Sequence, residues 1–90
     1  MYRDVMADGD HSIAKGQIPI IRQQFVVHGY SGHVWAVDDQ PDEAVFIIAA
    51  GALRSVRYRV LSIELQGLVG RKVWVIEESE EWRRGARQLW

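Results

Sequence analysis

Apolar and polar positions fall into five short runs along this chain, separated by glycine- and aspartate-bearing turns. Gln17–His28 is rich in β-branched residues and carries Pro19, which cannot donate a ladder hydrogen bond; it predicts a strand start or an edge strand. Gly29-Tyr-Ser-Gly32 reads as a turn, and His33–Asp38 as a second strand in hairpin with the first. Asp39-Gln-Pro-Asp42 is a turn by composition. Ala44–Ala50 has no polar alternation, which predicts a strand covered on both faces, by a helix or by a second subunit. A short buried helix fits the same run, because periodicity alone does not separate the two; Val-Phe-Ile-Ile favours the strand.

Ser55–Gln66 alternates in an unusual way. Val56, Tyr58 and Val60 share one parity with Ser62 and Glu64, while Ser55, Arg57 and Arg59 share the other with Leu61, Ile63 and Leu65. The apolar side therefore changes near Val60–Leu61, as in a long strand that bends sharply or carries a bulge. Gly67–Gly70 is a turn, and Arg71–Glu77 the fifth strand. From Ser79, an N-cap residue, to Trp90 the pattern turns helical: Glu80 and Glu81 lie in the first turn, and Trp82, Ala86, Leu89 and Trp90 form one stripe. The expected fold is mainly β (α+β): a strongly bent antiparallel five-stranded sheet or small SH3- or OB-like barrel with one C-terminal helix at 79–90. Residues 1–16 read as a loose N-terminal arm, and 17–90 as a single domain.

Composition narrows the function classes. The 90 residues contain no cysteine, which removes disulfides, thiolate metal ligands and thiol nucleophiles. Eleven basic against twelve acidic residues give a net charge of −1, which argues against a nucleic-acid partner or an anionic membrane surface. No run approaches the roughly 20 apolar residues of a membrane span, and the acidic N-terminus is unlike a secretory signal, so the expected compartment is the cytoplasm.

Three groups of polar residues are candidates for chemistry. His28 and His33 flank a turn, where a hairpin would set them face to face as metal ligands or a proton-sharing pair; the plainer reading is two turn-flanking histidines beside solvent. His11 sits in Asp8-Gly-Asp-His11, within the expected arm. Asp38, Asp39, Asp42 and Glu43 crowd one turn, suited to a hard cation or simply to solvent. Arg57 and Arg59 share a strand face in this reading, and arginine forks suit phosphate or carboxylate; pairing with the chain's own acidic turns is the alternative.

The segments Gly32-His-Val-Trp-Ala-Val-Asp-Asp39 and Val56-Arg-Tyr-Arg-Val-Leu-Ser-Ile-Glu64 together resemble the opening half of a staphylococcal-nuclease-type barrel. That resemblance implies Arg59 as a phosphate-binding arginine and Glu64, with Asp39 or Asp42, as metal ligands. The Gly-Asp-Thr after the first acid and the Pro-Glu after the second are absent, and the family's later helical region has no room here.

Three functions are carried forward. The leading one is a non-catalytic, self-associating binding module, expected as a homodimer, with Val45, Ile47, Trp82 and Trp90 at its interface. Four tryptophans and an unbroken apolar strand are more than a chain of this length is expected to hide. The second is a pocket for an anionic or aromatic small molecule, using Arg57, Arg59, Trp35 and Tyr58, with a protein ligand as another form of the same reading. The third is a metal-dependent phosphodiesterase. No resident cofactor and no catalytic residue is assigned.

Overall fold

The computed structural model describes residues 12–83 and 85–90. The expected features at residues 1–11, including the Asp8–His11 motif, lie outside the described residues. The architecture is α+β around an open four-stranded mixed sheet, ordered β3-β2-β1-β4. In chain order the elements are α1 (Ile18–Val27), β1 (Trp35–Val37), β2 (Glu43–Ile48), α2 (Tyr58–Val69), β3 (Lys72–Glu77), a single-turn helix α3 (Glu80–Arg83) and β4 (Arg87–Gln88). Short 3-10 turns precede α1 at Lys15–Gln17 and α2 at Ala52–Ser55. None of the described helices is long and apolar enough to cross a membrane.

The five-stranded antiparallel sheet or barrel is thus overturned. Two of the expected strands are the two main helices. Gln17–His28 forms α1, with Pro19 in the first turn, where a missing N–H costs nothing. Its buried side chains are Ile21, Phe25 and, at the C-cap, His28, spaced i, i+4 and i+7. The β-branched residues that suggested a strand, Ile20, Val26 and Val27, are exposed. Ser55–Gln66 likewise enters α2, which buries Leu61 and Leu65 and ends on Gly70 in the left-handed conformation (φ 72°). The apparent change of face near Val60 is a helical period sampled at every second residue. The bent strand it suggested does not exist.

β1 and β2 form the antiparallel hairpin, with Trp35 opposite Ile47 and Val37 opposite Val45. β3 runs parallel to β2, Glu43 beside Lys72 and Ile48 beside Glu77. A parallel pair requires a crossover, and α2 supplies it. The two faces of the sheet then receive different cover. Ala36, Ala44, Phe46, Ile48, Val73 and Val75 meet Ile21, Phe25, Leu61 and Leu65 of the helices in one core. Trp35, Val37, Val45, Ile47, Trp74 and Ile76 have the opposite parity and occupy the second face.

The expected C-terminal helix is also corrected. Among the described residues of 79–90, only Glu80–Arg83 are helical; Gly85 adopts φ 74°, and the chain pairs with β1 as β4, Gln88 opposite Trp35 and Arg87 opposite Ala36. Trp90 packs edge-on against Phe25 (5.5 Å between centroids), and its Nε1 donates to the Gly32 carbonyl at 2.9 Å. Trp82, the other expected anchor, is 41% exposed.

A polar clasp joins β4 to the N-terminal segment. Arg87 Nη2 donates to Asp38 Oδ2 at 2.8 Å and to the Ile13 carbonyl at 3.3 Å, while the Ile13 N–H donates to Asp38 Oδ2 at 2.7 Å. Burial pushes the Asp38 carboxyl up. The hydrogen bonds from Arg87 and Ile13 and the charges of Arg87 and Arg71 outweigh it, so the group lies below its ordinary 3.8.

Two outcomes follow for stability. Phe25→Ala should cost about 3–5 kcal/mol in denaturant unfolding, as for a fully buried aromatic, whereas Trp82→Ala should cost less than about 1 kcal/mol, as at a surface position. Because folding depresses the Asp38 carboxyl, its contribution is present above the ordinary carboxylate range and disappears as pH falls through the folded-state value. The melting temperature should therefore drop on acidification below about 3.8. Asp38→Asn should lower it at neutral pH and flatten the acid dependence.

Candidate functional site

β3 lies at one end of the sheet and has no strand on its outer side among the described residues. Its backbone polarity can be read from the ladder to β2. The N–H groups of Lys72 and, just beyond the strand, Glu78 donate to Asp42 and Ile48. Backbone groups alternate sides along a strand, so the even-numbered residues face β2, and Val73, Val75 and Glu77 present their N–H and C=O outward. Six residues of edge thus offer a row of backbone donors and acceptors to an incoming strand.

The edge is flanked by apolar side chains. Beside it, α2 and β3 form a groove of about 430 Å³, lined by Tyr58, Arg59 and Ile63 on the helix and Val73, Trp74 and Val75 on the strand. Tyr58 and Arg59 also line an adjoining hollow of about 240 Å³ with Val56, Arg57 and Val60 at the start of α2. Ile63 is 67% exposed, and Tyr58, Val60 and Trp74 are each more than two-fifths exposed. The first turn of α2 contains no acid. Arg57 and Arg59 therefore stand beside an apolar surface without a carboxylate from their own turn.

The structure brings together some of the sequence-derived candidates. Arg57, Tyr58 and Arg59 are consecutive around the start of a helix and line one hollow, rather than alternating on a strand. Trp35 is elsewhere, on β1, with β2 between it and β3. Val45 and Ile47 are already buried within one chain, and Trp90 is half-buried against Phe25. Trp82 reaches the second face, where it shares a pocket with Trp74.

The histidines do not face each other across a hairpin. His28 caps α1 and is buried, its Nδ1 without a hydrogen-bond partner among the described residues; His33 is exposed, with Nδ1 3.1 Å from the Trp90 carbonyl oxygen. Asp38 leaves the acidic turn to bond Arg87, while Asp39 and Asp42 stay exposed. Arg71 braces that turn by donating to the Asp38 and Gln40 carbonyls. Among the described residues, no three His, Asp or Glu side chains gather as metal ligands. Arg59 and Glu64, which the nuclease resemblance sets at one barrel site, both ride on α2, five residues apart and so well separated around its axis.

Sequence reasoning missed Trp74 and Ile63. Trp74 has a signal in retrospect: Lys-Val-Trp-Val-Ile-Glu is apolar at both parities for four residues, and its large aromatic falls on the face the helices do not cover. Ile63 had none once α2 was read as a strand, because that reading turned it inward.

No protein-family model matches the chain, no curated protein is detectably similar to it, and no solved structure matches it.

Proposed function

We propose that this chain is a self-associating interaction module whose partner is a second copy, joined through the outer edge of β3. The observation that carries the reading is the six-residue open edge flanked by exposed Ile63, Tyr58 and Trp74. A two-fold axis perpendicular to the sheet keeps each face on its own side, so paired residues must share parity. Centred on Trp74, antiparallel pairing sets Val73 opposite the partner's Val75 as a hydrogen-bonded pair, and Trp74 opposite the partner's Trp74. The outward amides of Val73 and Val75 are the ones this register uses. The α2 helices would then approach across the same axis and cover Ile63 and Tyr58. Homodimerisation through the edge joins two four-stranded sheets into one and removes the exposed row of backbone groups.

The proposed interface differs from the one read off the sequence. Val45 and Ile47 lie inside the chain, and the residues at the edge are Trp74, Ile63 and Tyr58. A second reading rests on the groove itself: Arg59 at the mouth of an apolar hollow suits a small anion with an apolar body.

Light scattering at micromolar concentration should give twice the 10.3 kDa chain mass. Ile63→Lys removes a side chain that is 67% exposed, so it should leave the fold intact and give a monomer. Val75→Pro removes an outward N–H without touching the ladder to β2 and should do the same. The Val73 and Val75 amides should exchange slowly in concentrated protein and quickly on dilution. A wild-type chain that stays monomeric at all concentrations refutes the dimer. If, in addition, phosphate- or carboxylate-bearing aromatic compounds raise the melting temperature and Arg59→Ala abolishes the rise, the second reading stands in its place.

A further inference from the structure

The second face of the sheet holds a pocket that shares Trp74 with the proposed β3 edge and draws its other lining residues from elsewhere. It measures about 300 Å³ and is lined by Glu43, Val45, Trp74, Ile76 and Trp82. Val45 and Ile76 come from adjacent strands, β2 and β3, and give it an apolar base. Two indoles border it, Trp74 at 46% and Trp82 at 41% exposure. The third kind of group is a carboxylate: Glu43 Oε1 accepts a hydrogen bond from Trp74 Nε1 at 3.2 Å, which holds the indole and the acid together.

Each component restricts the occupant. A purely apolar ligand would strip water from Glu43 and return nothing, since a buried charge needs a partner. An anion would be repelled by the same carboxylate. Among the described residues no Lys or Arg lines the pocket; Lys72, the register partner of Glu43, lies beside it, and in sequence Trp82 is preceded by Glu78, Glu80 and Glu81 and followed by Arg83 and Arg84. A small hydrated metal ion gains little from two indoles and one acid, being bound by sets of oxygen ligands. A methylated ammonium group satisfies all three components, with an apolar surface for Val45 and Ile76 and a diffuse positive charge for the rings and the acid. The Trp74 ring already holds a cation: Lys72 Nζ lies 4.5 Å from its centroid, from outside the pocket lining and well inside the roughly 6 Å reach of a cation–π contact.

We infer that the Glu43–Trp74–Trp82 pocket binds a quaternary or methylated ammonium group carried by a small molecule. Glu43 sets the charge preference, Trp74 and Trp82 supply the ring faces, and Val45 and Ile76 exclude water beneath the methyl groups.

The test is a titration of the intact chain with choline and with its neutral carbon isostere, 3,3-dimethylbutanol, followed through the indole Nε1–H signals by NMR. Choline at millimolar concentration should shift the Trp74 and Trp82 signals, with the isostere at least about tenfold weaker. Trp82→Ala alters an exposed residue on a single helical turn, so the fold should persist while the Trp74 shift is lost. Glu43→Gln should narrow the preference for choline over the isostere, leaving only the part supplied by the indole faces. Light scattering on the same samples reports the β3-edge dimer separately, so failure of one reading leaves the other standing. Equal binding of choline and the isostere by the unaltered chain, or no shift at all, overturns the inference. A trimethyllysine peptide that binds more tightly than choline overturns the small-molecule source and places the group on a protein.

Discussion

The ring of Phe25 is the contact on which the rest of the fold depends. It meets Tyr30 at 6.0 Å, Phe46 at 5.8 Å and Trp90 at 5.5 Å, each in an edge-to-face arrangement. Those partners belong to the turn after α1, the central strand β2 and the last residue of the sequence. One side chain on a helix thus fixes the helix to the sheet and both to the returning end. Tyr30 carries the linkage outward: its hydroxyl donates to the His33 carbonyl at 2.6 Å and accepts from the Ala49 N–H at 3.1 Å. The turn between them is tight for a steric reason. Gly29 has φ 105°, and a Cβ there would lie 2.8 Å from the Ser55 carbonyl oxygen, so only glycine lets α1 close against the approach to α2.

How much of this was legible depended on whether local pattern and burial agreed. β1, β2 and β3 could be placed because a strand on a mixed sheet keeps its period, and Ala44–Ile48, covered on both faces, showed it as an unbroken apolar run. The helices were not legible because propensity and packing disagreed. α1 exposes Ile20, Val26 and Val27, β-branched residues that favour strands when counted, yet Ile21 and Phe25 decide the outcome by filling the core. In α2, exposed Tyr58, Val60 and Ile63 made the apolar set too broad to show one stripe. The candidate site suffered accordingly. A strand would have put Tyr58 on the face opposite Arg57 and Arg59, whereas the start of α2 gathers all three around one hollow; the edge of β3 that adjoins them depends on strand order, which no local pattern encodes.

The C-terminal misreading has a separate cause. Trp82, Ala86, Leu89 and Trp90 do fall on a helical stripe, but they are recruited by different surfaces. Trp82 turns to the second face of the sheet. Leu89 and Trp90 run alongside Val34, the Leu89 N–H donating to the Val34 carbonyl and the Val34 N–H to the Trp90 carbonyl. Arg87 then reaches the buried Asp38 carboxylate and the Ile13 carbonyl, a charge-assisted contact that no continuous helix could have reached.

The two edges of the sheet are treated in opposite ways, and that asymmetry favours an occupant at β3. β4 is two residues long and carries Arg87, a short and charged edge of the kind that discourages further pairing. β3 is six residues long and keeps its charges at the ends, Lys72 and Glu77, with Val-Trp-Val-Ile between them. Its outward amides are those of Val73, Val75 and Glu77, and the surface above them is the exposed side of α2. An edge of this length and apolarity is an aggregation hazard when left bare. In the proposed dimer, a partner strand from an identical chain would meet that hazard with a closed two-fold assembly, whose axis uses both β3 edges and leaves at its ends the short, charged β4 edges that discourage a third copy.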